Sequence, residues 1–198
     1  MLYYLAGRFF RKFLLYWYVS ISEAFNLTEQ FVMKKLLVTV LVLAAVNVFC
    51  ANIYCGSSTS GSASYNYAAN EKRLYRGSST SGSAVFTYET GSNPRIYRGS
   101  STSGSAAYTF EYGSSVIRMY RGSSTSGSAA FVFEQGSTPR IYRGSSTSGS
   151  AAYTLEYSGS LLRIYRGSST SGSPFAVIEK WDELPKTMLM FVAILLGE

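Results

Sequence analysis

The sequence predicts an all-β repeat protein: a closed antiparallel up-and-down barrel of about twelve short strands, built as six hairpins around a C-terminal hydrophobic helix. Three observations lead to this fold class. The heptapeptide GSSTSGS occurs six times at intervals of 21 to 23 residues, the segments between copies alternate apolar and polar residues, and an apolar run follows the last copy. A fixed short period is typical of one supersecondary unit that is copied and stacked. The copies begin at residues 56, 77, 99, 122, 144 and 167.

Each repeat unit is predicted to be a β-hairpin with GSSTSGS at its loop. On either side of the third copy, RIYRG and AAYTFE broadly alternate apolar and polar residues, which is the pattern of strands with one buried face. Pairing across the loop places Ile96 opposite Tyr108 and Tyr97 opposite Ala107. Ile96, Tyr108 and Phe110 then point towards the core, while Tyr97 and Ala107 point outward.

A meander of twelve strands has two exposed edges unless it curls shut, so closure into a barrel is expected. A barrel of this size has a lumen that wall side chains alone do not fill. The C-terminal segment, residues 181–198, fits as a plug. Asp182 or Glu183 followed by Pro185 predicts a helix start, and Gly197 predicts its end. Every residue from 188 to 196 is apolar, yet the run is shorter than the roughly 20 residues of a membrane span.

A signal peptide is predicted at residues 33–51, so the six repeats are expected to occupy residues 52–180. Met33 and two lysines precede the apolar run LLVTVLVLAAVNVF, which has the order of a basic region and a hydrophobic region in a secretory signal. Cleavage after Ala51 would begin the mature chain at Asn52, and cleavage after Ala45 is the alternative. The protein is therefore predicted to be exported, to the periplasm or the cell surface.

Residues 1–32 then form an upstream extension. Its apolar run is interrupted by Arg8, Arg11 and Lys12, which argues against a transmembrane helix. The preferred interpretation is a wrongly assigned start codon, with Met33 as the true start. A helix that lies on a membrane surface and anchors the protein is the alternative.

The charge and cysteine content of the chain argue against some classes of function. From Asn52 onward the chain has thirteen Lys and Arg residues and nine Asp and Glu residues, so its net charge is near +4. These basic residues do not form a polybasic tract. No nucleic-acid partner is expected. Cleavage after Ala51 would leave Cys55 as a lone cysteine, which excludes an intramolecular disulfide in the mature chain.

Catalysis is not expected. The chain has no histidine, and Asp182 is its one aspartate, so the usual nucleophilic triads and His/Cys metal clusters are missing. No metal and no cofactor is predicted. One glutamate recurs in each unit, and these carboxylates are expected to pair across strands with recurring arginines on the outer face. The glutamates are Glu89, Glu111, Glu134, Glu156 and Glu179, and the arginines are Arg95, Arg118, Arg140 and Arg163.

A second set of arginines forms the candidate binding site. One arginine precedes the GSSTSGS loop in five of the six units, and Cys55 takes this place in the first unit. The predicted register places these side chains near the inner rim of one barrel mouth, where guanidinium groups attract phosphate, sulfate or carboxylate groups. The alternative is that each arginine reaches solvent or bonds loop carbonyls. The residues are Arg76, Arg98, Arg121, Arg143 and Arg166.

The repeated IYRG and GSSTSGSA elements, behind a bacterial signal peptide and before an apolar helix, resemble the bacterial β-flower repeat proteins over residues 52–198. This resemblance implies a shallow symmetric barrel and no settled activity. Twelve strands around a C-terminal hydrophobic helix are also similar in architecture to the Tubby C-terminal barrel, whose phosphoinositide binding transfers to no particular residue of this chain.

The function expected from these observations is an exported, non-enzymatic β-repeat module with a structural or ligand-binding role. The expected ligand is an anionic small molecule, a glycan or a lipid headgroup at the arginine ring. The alternative is a fibre-forming, curli-like β-solenoid surface protein, because near-identical hairpins can also stack. Oligomeric state stays open.

Overall fold

The computed structural model describes residues 50–198, which form twelve β-strands, one 3₁₀ turn and one α-helix. The predictions for residues 1–32 and for the signal segment up to residue 49 lie outside the described residues. The 3₁₀ turn spans Trp181–Glu183, and helix α1 spans Lys186–Gly197. The strands are β1 Cys50–Cys55, β2 Tyr65–Ala68, β3 Arg73–Arg76, β4 Phe86–Glu89, β5 Arg95–Arg98, β6 Tyr108–Tyr112, β7 Val116–Arg121, β8 Phe131–Glu134, β9 Arg140–Arg143, β10 Tyr153–Ser158, β11 Leu161–Arg166 and β12 Ala176–Glu179.

The sheet is closed. Every strand pairs antiparallel with its neighbours in the chain, and β1 pairs with β12 to join the ends. At this seam Ile53 lies opposite Ile178, and both side chains are fully buried. The predicted closed up-and-down barrel of twelve strands with a C-terminal helix is confirmed. Closure removes the strand edges along which hairpins would add to a fibre, so the open stack of the fibre alternative is a different architecture.

The register across the GSSTSGS loops follows the predicted alternation. Ile96 lies opposite Tyr108, and the Ala107 N–H donates a 2.7 Å hydrogen bond to the Ile96 carbonyl. Ile96 and Phe110 are fully buried in the core, and Tyr108 packs against it. Because successive side chains of a strand point to opposite faces, Tyr97 lies on the outer face.

The GSSTSGS loops share one internal conformation. In the third copy the Ser103 N–H donates to the Ser101 Oγ at 3.0 Å, and the two hydroxyl oxygens lie 2.7 Å apart. Gly104 has φ 101°, a backbone conformation that side chains other than hydrogen disfavour. The same serine pair recurs in all six loops. The identical sequences therefore form loops of the same conformation around one end of the barrel.

Neighbouring loops are tied to one another. The N–H of Ala84, the residue that follows the second loop, donates a 2.9 Å hydrogen bond to the Ser100 Oγ in the third loop. Ala106 makes the equivalent bond to Ser123 at 2.9 Å. Each such bond satisfies a backbone donor that the β ladder leaves unpaired, so the first serine of the heptapeptide has a structural role.

Helix α1 fills the lumen, as predicted from its apolar sequence. It begins directly after Pro185, and its side chains from Thr187 to Ile194 are buried. Phe191 makes an edge contact with Phe86, with ring centroids 4.8 Å apart, and packs against Tyr108 at 5.5 Å. Among the residues that the structure describes, no helix combines the length and apolarity needed to cross a bilayer.

A buried polar contact joins the helix to the inner wall. The Thr187 hydroxyl donates a 2.9 Å hydrogen bond to the Tyr88 hydroxyl, and both side chains are buried. Burial raises the pKa of Tyr88 to about 12, since the protein interior disfavours the phenolate. The same cause raises the pKa of Tyr67. These phenols are held in their neutral form inside the barrel.

The first strand begins two residues before the expected start of the repeats at Asn52. Cys50 lies opposite Ala68, and Ala51 lies opposite Tyr67 and is fully buried in the core. Cleavage after Ala51 would remove this part of β1, whereas cleavage after Ala45 would leave the strand whole.

Candidate functional site

The five predicted site arginines lie at one end of the barrel, each at the last position of a strand that leads into a GSSTSGS loop. They are called here the arginine rim. Each is exposed and lies directly opposite an aromatic residue of the preceding strand. Directly opposite residues share a face, and these aromatics pack against the core, so the arginines are on the inward-facing side of the wall. The pairs are Tyr65 with Arg76, Phe86 with Arg98, Tyr108 with Arg121, Phe131 with Arg143 and Tyr153 with Arg166.

Aromatic rings support three of the guanidinium groups. The guanidinium carbon lies 6.0 Å from the ring centroid of Phe86 for Arg98 and 5.6 Å from that of Phe131 for Arg143. Arg166 lies closest, 4.7 Å from the centroid of Phe175. The negative ring face attracts a cation, so these contacts hold the arginine stems against the wall while the heads face solvent.

Two members of the rim hold the end of helix α1. Arg143 Nη1 lies 2.9 Å from Glu198 Oε1, and Arg166 Nη1 donates a 2.8 Å hydrogen bond to the Gly197 carbonyl. Cations are favourable at a helix C-terminus, where the last carbonyls have no partner within the helix and the macrodipole is negative. Sequence reasoning missed this contact. The available signal was the length of the helix, because twelve residues rise about 18 Å and carry its end to the far mouth of the barrel.

Gly197 allows this approach. A Cβ atom added at residue 197 would overlap the ring of Tyr153, the aromatic residue opposite Arg166. The Tyr153 hydroxyl is buried, and no hydrogen-bond partner for it is present among the residues described. Burial raises the pKa of Tyr153. The end of the helix and the wall are therefore in direct contact between Arg143 and Arg166.

The other three rim arginines differ from this pair. Within residues 50–198, the ion pairs include none that joins a carboxylate to Arg76, Arg98 or Arg121. They end β3, β5 and β7, alternate strands of one side of the barrel, and are called here the open arc. Neighbouring strands are about 4.8 Å apart, so successive members are attached about 10 Å apart along the rim.

The rim is interrupted in the first unit. Cys55 takes the arginine position there, is exposed, and lies opposite the small Ala176. Its N–H donates to the Ser64 Oγ at 3.2 Å. The first unit thus contributes no charge to the rim.

The recurring glutamates accept hydrogen bonds from tyrosine hydroxyls rather than pairing mainly with arginine. The expected Glu–Arg register is present, since Glu89 lies opposite Arg95, yet the Glu89 carboxylate accepts from Tyr97 at 2.9 Å. Among the residues described, one of the four expected pairs is within ion-pair distance: Arg163 Nη1 lies 3.9 Å from Glu156 Oε2. The Tyr–Glu bonds are Tyr54–Glu179, Tyr97–Glu89, Tyr120–Glu111, Tyr142–Glu134 and Tyr165–Glu156, and Tyr75 bonds Glu71 in the same manner.

The physical reason is the diagonal geometry of a sheet. Tyr97 lies opposite Thr87, and Glu89 is the diagonal neighbour two residues further along, within reach of a long aromatic side chain. Burial, together with the carboxylate acceptor, raises the pKa of Tyr120 and Tyr165. These outer tyrosines are buried, so the Tyr–Glu bonds stabilise strand pairs on the outer face.

Comparison with protein-family models, curated proteins and solved structures found no match to this chain. The resemblance to β-flower repeat proteins therefore stays a prediction that rests on the repeated sequence elements. Function is argued from the site alone.

Proposed function

We propose that this chain is an exported, non-enzymatic β-repeat module that binds the anionic groups of a ligand at the arginine rim. The proposal rests on one observation: the five guanidinium groups of the rim do not all have partners among residues 50–198. Two of them hold the end of the central helix, and the open arc pairs with no carboxylate in the described part of the chain.

The chemistry of the open arc supports anion binding. Neighbouring cations repel one another, and an anion between them relieves the repulsion. A guanidinium group also offers donors in a planar fork that fits carboxylate, sulfate and phosphate oxygens. Arg98 has its stem supported by Phe86, which reduces the conformational entropy lost on binding.

The repeated carboxylates support a binding role over a catalytic one. The glutamates that recur in each unit are acceptors for tyrosine hydroxyls on the outer face, at the opposite side of the wall from the rim. Within residues 50–198, no three His, Cys, Asp or Glu side chains are grouped so as to hold a metal ion. Export rests on the signal-like segment at residues 33–51.

The test is the melting temperature of the chain in increasing sulfate or pyrophosphate, followed by circular dichroism. We expect a rise for the natural sequence, since a ligand at a hundred times its dissociation constant adds about 2.7 kcal/mol to the free energy of unfolding. The variant R76Q/R98Q/R121Q should lose the rise.

The matched control is R95Q/R118Q/R140Q, which removes the same charge from the outer faces of β5, β7 and β9. This control should keep the rise. Equal shifts in both triple variants, or no shift for the natural sequence with either anion, would contradict the proposal.

A further inference from the structure

We infer that the ligand of the open arc is an extended acidic polysaccharide, whose carboxylate or sulfate groups contact Arg76, Arg98 and Arg121 in succession. This inference rests on the proposed function, since it names the ligand class for the same site. Its basis is the spacing of the arc, the position of the helix end, and the composition of the loops beside it.

The helix end disfavours an anionic ligand on the side of the mouth where Arg143 and Arg166 lie. Glu198 and the Gly197 carbonyl lie at the arginine rim, and the C-terminal end of α1 adds a negative partial charge there. An anion beside Arg143 and Arg166 would be repelled by this charge. An anionic ligand is therefore favoured along the open arc, whose arginines pair with no carboxylate among residues 50–198.

The arc has the dimensions of a chain-like ligand. Its three arginines are attached over about 20 Å, because they end alternate strands that are each about 4.8 Å from the next. A single sulfate cannot satisfy groups spread over this length. A polymer with charges along its chain contacts all three, and each further contact forms at a high effective concentration.

The loops favour a carbohydrate over a bilayer or a nucleic acid. The loops at 77–83, 99–105 and 122–128, which follow the three arginines, contain only Gly, Ser and Thr and are largely exposed. They offer hydroxyl and amide groups that donate and accept hydrogen bonds, as sugar hydroxyls do. They carry no apolar side chain to enter a membrane surface and no aromatic ring on which a base could stack.

The experiment measures binding of the full chain to immobilised dextran sulfate and polygalacturonate, with neutral dextran as the uncharged control. We expect binding to both acidic polymers and none to dextran, weakened as salt shortens the Debye length. R76Q/R98Q/R121Q should lose about tenfold in affinity, since each exposed ionic contact contributes a factor of a few. The affinity of R95Q/R118Q/R140Q should stay close to that of the natural chain.

Inorganic sulfate and phosphatidylserine vesicles are two further probes, which distinguish a small anion and a membrane from a polysaccharide. If sulfate raises the melting temperature through the open arc while neither acidic polymer binds, the rim binds anions and the polysaccharide inference is wrong. If vesicles bind through the arc and the polymers do not, the partner is a membrane and the inference is again wrong. If none of these probes binds, the inference and the proposed function fail together.

Discussion

Arg143 in the barrel wall forms an ion pair with Glu198 at the end of helix α1, with 2.9 Å between Nη1 and Oε1. The neighbouring rim residue Arg166 bonds the Gly197 carbonyl at 2.8 Å. The plug is therefore anchored to the same ring of arginines that forms the candidate binding site. Changes in the end of the helix should alter both stability and anion binding.

Replacing Glu198 with glutamine removes a carboxylate that competes with external anions for Arg143. We expect sulfate to bind E198Q more tightly, by about twofold to fivefold, the range of an exposed ion pair. Stability should fall by less than about 1 kcal/mol, because the Arg143 and Glu198 side chains are 63% and 38% exposed. Isothermal titration and thermal unfolding measure both, with D182N at a distant carboxylate as the control. Unchanged or weaker sulfate binding by E198Q would show that Glu198 does not compete.

Replacing Phe191 with alanine tests the plugged barrel. Phe191 is almost fully buried against Phe86 and Tyr108, so F191A should destabilise the protein by about 3–5 kcal/mol. Y112A removes an aromatic ring that is 49% exposed and should cost much less. Chemical denaturation measures both values. Equal stability of F191A and the natural chain would mean that the helix does not fill the lumen.

High pH should weaken the fold through its buried tyrosines. The pKa of Tyr88 is raised to about 12 in the fold, against 10.0 for an ordinary tyrosine. The neutral phenol is the form that the fold stabilises, so this contribution is complete below about pH 10 and is lost as pH rises to about 12. It amounts to about 3 kcal/mol for two pKa units.

Thermal unfolding between about pH 8 and pH 12 checks this expectation. The melting temperature should stay level up to about pH 9 and then fall, and Y88F should fall less steeply because one titrating group is gone. Identical slopes for Y88F and the natural chain would contradict the role given to Tyr88.

Replacing Gly104 with alanine tests the backbone conformation of the loops. A Cβ atom there meets nothing within 4 Å, so the cost of G104A comes from φ 101° alone and should be about 1–3 kcal/mol. G91A is the matched control, since Gly91 is equally open and does not have a φ in the left-handed range. Thermal unfolding should separate the two variants, and equal melting temperatures would show that the loop relaxes to accept a side chain.

The mature N-terminus should lie before β1. Ala51 is fully buried and lies opposite Tyr67, so a chain that begins at Asn52 would lack part of the barrel wall. Intact-mass analysis of exported protein should give residue 46 as the first residue, as expected for cleavage after Ala45. Recovery of Asn52 as the first residue would show that the barrel closes without Cys50 and Ala51, and recovery of residues 1–32 would contradict the start at Met33.

The sequence by itself determined the local architecture. The six GSSTSGS copies and the alternation between them predicted the strands, the placement of Ile96 opposite Tyr108, and the closed barrel, because side-chain alternation in a strand is a local property. The apolar run from 188 to 196 predicted a helix without a solvent face, and the lumen is where such a helix is buried. Placement of the rim arginines on the inner face followed from the same register.

Only the tertiary structure decided which polar groups meet. Glu89 accepts a hydrogen bond from Tyr97 rather than pairing with Arg95, because the long tyrosine side chain extends diagonally across two strands. Composition and spacing do not determine this choice. The position of the helix end decides which rim arginines anchor the helix and which form the open arc. Glu198 contacts Arg143 only after the sheet has closed around the helix. Contacts between groups this far apart in the chain are set by packing of the whole barrel. The length of the helix indicated the mouth at which it ends, but not which arginines it meets there.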